Sequence, residues 1–379
     1  MKRLLSLAFL AVPAAIACSA STDSKFAGTS NGNGSTGSQG GGTFDVSVGV
    51  GSGGTSGGNC DSSENICDGE LATPTKCDDG LALTDLDPMS AARAIDLCKV
   101  STDGGWGLVS AKYVRADGSP ASGGLNTGIA PKFGNSVVPQ GGSSLLVLSS
   151  GHARDVGMPD ACGSQTCETT GFGTAPPSFP QDVPNCPGSK DINDDIGLEV
   201  ELIAPKNAKG YQFNFAFTSF EFAEWVCTDY NDQFIALVSP PPPGSIAGNI
   251  SFDSQKNPVS VNLALFDHCD PSSIGSFASF CADPFNPGKV CPQPPNPYCA
   301  QGPGFLSGTG FGGLAEWGDA GSTGWLVTTA PVNGGDKFSI RFAIWDTGDS
   351  ALDSTVMLDN FRWSADPVGI DTEEVPDPK

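Results

Sequence analysis

Residues 337–363 read KFSIRFAIWDTGDSALDSTVMLDNFRW. At the start, Phe338, Ile340, Phe342 and Ile344 alternate with Ser339, Arg341 and Ala343, the period of two that marks a half-buried strand. At the end, Val356 and Leu358 alternate with Thr355, Met357 and Asp359. Between the two runs, Asp346, Asp349 and Asp353 crowd into a short loop with Gly348 and Ser350. The spacing predicts a hairpin closed by an acidic loop. Carboxylates this close repel one another unless water or a cation stands between them.

A second stretch has the same design. Tyr211, Phe213, Phe215 and Phe217 share one face of an aromatic strand, and residues 232–238 form the next. Glu221, Glu224, Asp229, Asn231 and Asp232 lie in the bend between them. The two acidic bends are expected to meet at one end of the fold, where loops cluster.

Working outward, short strands are expected at 107–114, 144–149, 197–203, 259–266 and 325–329. Residues 144–149 are an unbroken apolar run, expected to be buried on both faces. One helix is expected over Asp87–Cys98, capped by Asp87 with Pro88 in its first turn. Nine or ten short strands imply an all-β fold, a two-sheet jelly-roll-like sandwich with one short N-terminal helix and long disulfide-stapled loops. Fifty glycines and thirty prolines in 379 residues suit that class.

Two excursions interrupt the strands. Residues 151–191 carry Cys162, Cys167 and Cys186; residues 267–313 carry Cys269, Cys281, Cys291 and Cys299. Disulfides are expected to order them, and Cys77 with Cys98 could staple the helix. No CxxC pair points to metal.

Residues 1–18 read as a signal peptide, with Lys2 and Arg3 before a short apolar core. Its end, Ala15-Ile16-Ala17-Cys18, resembles a lipobox, although Ala15-x-Ala17 also suits an ordinary signal peptidase. The chain has 13 cysteines, and acylating Cys18 leaves an even number to pair. Residues 19–59 are nearly all Gly, Ser, Thr and Asn, a disordered tether of roughly 35 Å root-mean-square span. The expected organisation is therefore a signal peptide to Cys18, a tether over 19–59, a Cys-containing lead-in over 60–76, the sandwich over 77–365 and an acidic flexible tail over 366–379.

The chemistry rests on oxygen. Asp346, Asp349 and Asp353, with Glu221 and Asp232 from the other bend, offer the hard oxygen donors that Ca2+ takes. Asx-turn capping of backbone N–H groups explains the same residues without a metal. Asp191, Asn193, Asp194 and Asp195 are either a second such loop or solvated turn residues. With only His152 and His268, zinc is disfavoured. Ser149, Ser150, His152 and Asp155 lie too close in sequence for a triad, and there is no nucleophile elbow, HExxH or P-loop. Paired carboxylates leave a secreted hydrolase as the more distant alternative. Trp345, on the face opposite Ile344, is the candidate aromatic for a carbohydrate-binding module. A net charge of −23 disfavours nucleic acid as a partner.

The sequence Asn231-Asp232-Gln233-Phe234, together with the later Asp346-Thr347-Gly348-Asp349-Ser350-Ala351-Leu352-Asp353-Ser354, resembles the choice-of-anchor L domain family. The resemblance runs over roughly 76–363. It implies a β-rich module of secreted or surface-attached bacterial proteins, with no assigned reaction. The combined expectation is an outer-membrane lipoprotein of a Gram-negative cell envelope, secreted if Cys18 is not acylated. Its expected work is non-catalytic binding or adhesion to an envelope protein or a glycan.

Overall fold

The computed structural model describes residues 76–375, apart from 168, 185, 187, 224, 263–264, 272–298 and 313–319. Cys18, the tether, most of the lead-in, Glu224, Trp317 and the last four residues of the tail lie outside the described residues.

Two antiparallel sheets form the body. The first has the order β1 (Gly107–Val114), β4 (Ile192–Ile203), β10 (Lys337–Thr347), β6 (Gln233–Ser239), β7 (Val259–Ser260). The second runs β12 (Asp371–Glu374), β9 (Leu326–Pro331), β5 (Gly210–Ser219), β11 (Ser354–Ser364), β3 (Leu145–Ser149), β2 (Thr127–Ala130), with β8 (Gly321–Ser322) beside β5. The alternating residues meet between the sheets. Phe213 of β5 packs edge-on to Phe342 of β10 at 4.9 Å, and Phe215 lies 5.0 Å from Phe234 of β6. Leu198, Val200, Ile340, Val356 and Leu358 complete this buried layer. The fold is the expected two-sheet, almost all-β sandwich.

The expected hairpin is not one. β10 pairs with β4 and β6, whereas β11 pairs with β3 and β5, so residues 348–353 cross from one sheet to the other. Residues 220–232 make the reverse crossing, from β5 to β6. Alternation within each strand looks the same whether its neighbour in sequence is also its neighbour in the sheet.

Both outer faces carry cover. Trp345 is fully buried rather than exposed, packed edge-on against Phe179 of the first excursion at 6.3 Å, with Ile192 and Ile235 beside it. That removes it as a sugar platform. Met357 of β11 packs with Phe133, Val147 and Ala216 on the outside of the second sheet. β3 is buried along its length, as its apolar run requires.

Cys186 is tied to Cys227 and Cys269 to Cys299, while Cys162–Cys167 closes a small loop and Cys77–Cys98 staples the helix. That helix, α1 (Pro88–Arg93), starts where expected, with Asp87 Oδ1 accepting from Met89 N at 2.9 Å. It stops earlier than expected: Ala94 is its C-cap and Asp96 takes a left-handed φ of 67°. The strand expected at 259–266 shortens to Val259–Ser260, and residues 371–374 of the expected flexible tail pair with β9 as β12.

Candidate metal centre

The two crossings come together through Asp232. Its Oδ1 accepts from Thr347 N at 2.8 Å, at the end of β10, and its Oδ2 accepts from Ser354 Oγ at 2.6 Å, at the start of β11. Its own N–H points at Glu221 Oε2, 3.4 Å away. One carboxylate thus pins the return crossing to the outgoing one.

Glu221, Asp232, Asp346 and Asp353 are all buried here. Asp353 accepts from Cys167 N through both oxygens, at 3.2 and 3.0 Å, so the Cys162–Cys167 loop caps the site. Neither oxygen of Asp346 has a hydrogen-bond partner. Ser150 lies close enough to ease the charge on Asp346, but its hydroxyl points to Ser354 O at 3.3 Å.

The electrostatics follow from that crowding. Burial, then the charge on Asp232, holds the Glu221 carboxyl well above the usual range. Burial, then Asp232 and Asp353, does the same to Asp346. Burial pushes Asp232 up to about 7 and Asp353 up to about 8. Four carboxyls share one dry site, and no lysine or arginine is among the groups that set their protonation.

Asp349, the fifth expected ligand, is exposed, and its side chain accepts from Ala351 N at 3.0 Å. This is the Asx capping that the sequence also allows. The Asp349 charge still raises the Glu221 carboxyl. Asp194 is the further acid near this pole. Residues 192–195 are the buried start of β4 rather than a solvated turn. Asp194 Oδ1 accepts from Thr169, Thr170 and Gly171 N at 2.9, 2.5 and 2.7 Å. Its Oδ2 is buried without a partner. Of the second acidic stretch, Asp194 lies near enough to Asp353 for its charge to be felt there. Asp195 is used elsewhere, paired with Arg115 at 2.6 Å.

Among the described residues, one trio of His, Cys, Asp or Glu side chains brings ligand atoms within 4.8 Å of one another: Cys162, Cys167 and Asp353. Its two sulfurs form a disulfide and offer no thiolate. No three of the carboxylates of Glu221, Asp232, Asp346, Asp353 and Asp194 meet that limit. Calcium, with bonds of ~2.3–2.6 Å, spans ~5 Å between ligands on opposite sides. Unpartnered buried oxygens on Asp346 and Asp194 suit such an ion.

The serine and histidine readings resolve into structure. Ser149 and Ser150 hydroxyls donate to Ser354 O, and His152 Nδ1 lies 2.8 Å from Asp160 O. None of these acids lines the cavity of about 1230 Å3 that runs past Lys206, Tyr211, Pro240–Pro243 and Phe338.

A β-sandwich whose sheet crossings are locked by buried acids, with its long loops tied by disulfides, is an extracellular type of module. The profile of the choice-of-anchor L domain matches residues 132–362, and the chain belongs to that family. The match begins at residue 132, after the helix, later than the start near residue 76 that the resemblance implies. The family is one of cell-surface-associated modules and is not an enzyme family. No curated protein and no solved structure matches the chain. Among the described residues, no helix is long and apolar enough to cross a membrane.

Proposed function

We propose that the chain is a non-catalytic binding and adhesion module of the bacterial envelope, carried by a lipid on Cys18, with a structural calcium ion at its acidic pole. Asp346 carries the metal reading. A buried carboxylate with no donor and no counter-charge costs several kcal/mol unless it is protonated or paired. Glu221, Asp232, Asp353 and Asp194 add oxygens and charge around it. An all-oxygen set suits calcium over zinc. The ion would bind the two crossings together, so the pole would have a structural role.

The test is a pull-down from envelope fractions with the full chain, in calcium and in chelator, paired with melting curves. Calcium-dependent retention and a higher melting temperature in calcium are expected. An unchanged melting temperature on chelation removes the metal from the reading.

One cavity favours a second reading, glycan binding. It is about 280 Å3, lined by Asp267, His268, Gln301, Thr323, Trp325 and Glu374. An aromatic ring beside acids and an amide suits a sugar. Glycan-array binding that Trp325→Ala abolishes would support it.

A further inference from the structure

We propose a second calcium site, formed where the C-terminal end of α1, the 140–144 loop and the mid-strand bulge of β11 meet, with Asp96 and Asn360 as its protein ligands and Asp78 holding the loop around them. This site is independent of the acidic pole. Register is lost between Asp359 and Arg362, and Asn360 there has a φ of 57°. Asp96 has the same left-handed backbone at the helix end, and Phe361 N donates to Ile95 O at 3.0 Å, joining the two.

The oxygens converge on Gly141 and Gly142. A methyl group on Gly141 would collide with Asp96 Oδ2 and sit 3.0 Å from Asn360 Oδ1. One on Gly142 would sit 2.5 Å from Asp78 Oδ2 and 2.8 Å from Asp96 Oδ1. The loop bends tightly enough for its backbone to approach these oxygens, which only glycine permits. Asp96 is 7% exposed, yet its Oδ2 has no hydrogen-bond partner, and neither does Asn360 Oδ1. Two buried acceptors on adjoining segments face the same loop with no donor between them.

The surrounding groups are already fixed. Asp78 Oδ2 accepts from Ser143 N and Ser144 N, both at 2.6 Å, and Asp359 Oδ2 accepts from Gln140 N at 2.5 Å and Gly141 N at 3.0 Å. These bonds hold the loop in place around the unpartnered oxygens. Arg362 and Lys76 partly offset the charge on Asp96. Carboxylates with an amide oxygen are a calcium donor set. A water donating to both free acceptors is the competing occupant.

The experiment counts calcium ions per full-length chain, by equilibrium dialysis after chelator stripping. Asp96→Asn is expected to lose one ion and to keep the one at the acidic pole; Asp346→Asn is expected to do the reverse. If Asp96→Asn leaves the count unchanged, this proposal is overturned while the acidic pole stands. If Asp96→Asn takes a count of one to zero, the acidic pole fails and this site stands. Should Asp96→Asn fail to fold, Asn360→Gly keeps the left-handed backbone and removes one ligand. Binding at one site ~10-fold weaker or more supports the proposal, and unchanged binding overturns it.

Discussion

Replacing Asp346 with asparagine should move the stability of this protein in opposite directions with and without calcium. The side chain keeps its shape and loses its charge. In chelator, the parent holds Asp346 buried beside Asp232 and Asp353, with the Ser150 hydroxyl as the nearby group that eases its charge. The Asp353 carboxyl beside it is pushed up to about 8. Each tenfold change in proton affinity is worth about 1.4 kcal/mol, so keeping Asp353 itself charged costs on the order of 6 kcal/mol relative to a free carboxylate. Asparagine removes part of that repulsion, and its NH2 group finds carboxylate acceptors. A gain of about 1–3 kcal/mol, or a rise in Tm of roughly 2–8 °C, is expected for the metal-free variant. In calcium, the parent gains about 2.7 kcal/mol at a hundredfold excess over Kd, and the variant loses most of this. Calorimetric melting of both proteins, in chelator and in calcium, should show their order invert. A variant that melts below the parent in chelator and responds equally to calcium would refute the reasoning.

Metal-free protein should gain stability as pH falls from about 8 towards 5. Burial raises Asp232 to about 7 and Asp353 to about 8, so the folded chain holds protons that the unfolded chain releases. That contribution is lost as pH rises through the folded values, and urea midpoints across the range check it. Replacing Cys186 and Cys227 by alanine opens a link across 41 residues of sequence and should cost about 4 kcal/mol on the chain-entropy account, read as a lower denaturation midpoint. Gly151→Ala drives a methyl into the Asp353 carboxylate, so it should cost about 1–3 kcal/mol and weaken calcium binding in titration calorimetry. Trp345→Ala should cost about 3–5 kcal/mol in urea unfolding and leave glycan binding unchanged, because the ring is fully buried.

The strands are legible in the sequence wherever one face is apolar and the other polar, as in β1, β5 and β10. The sheet partners are not. Residues 337–347 and 354–364 look like a hairpin because pairing across a sandwich leaves no local trace. Trp345 looks exposed for a related reason: alternation gives its face, and the cover on that face comes from Phe179, more than 160 residues earlier. Glu221, Asp232, Asp346 and Asp353 are buried around the two crossings, as the two acidic bends suggest. Asp349 is exposed and accepts from Ala351 N, though its charge still reaches Glu221. Asp194 is not visible as a neighbour because β4 starts at Ile192, before the alternation of 197–203 begins. The Asp96 and Asn360 oxygens carry no sequence signal, since both depend on left-handed backbone at irregular points. Gly141-Gly142 is the one available clue.

The Cys77–Cys98 link also has a mechanical consequence. A module held at a cell surface is pulled when its partner moves away. If the chain is held through its N-terminal side, as proposed, tension reaching residue 76 meets the disulfide almost at once and passes through it to Cys98, ahead of β1. The intervening segment with α1 therefore carries no load. Without the bond, those 21 residues would release on the order of 70 Å of slack before the sandwich resisted. With it, force reaches the β1–β4 ladder directly, and the protein behaves as a short, stiff linkage from its first described residues onward.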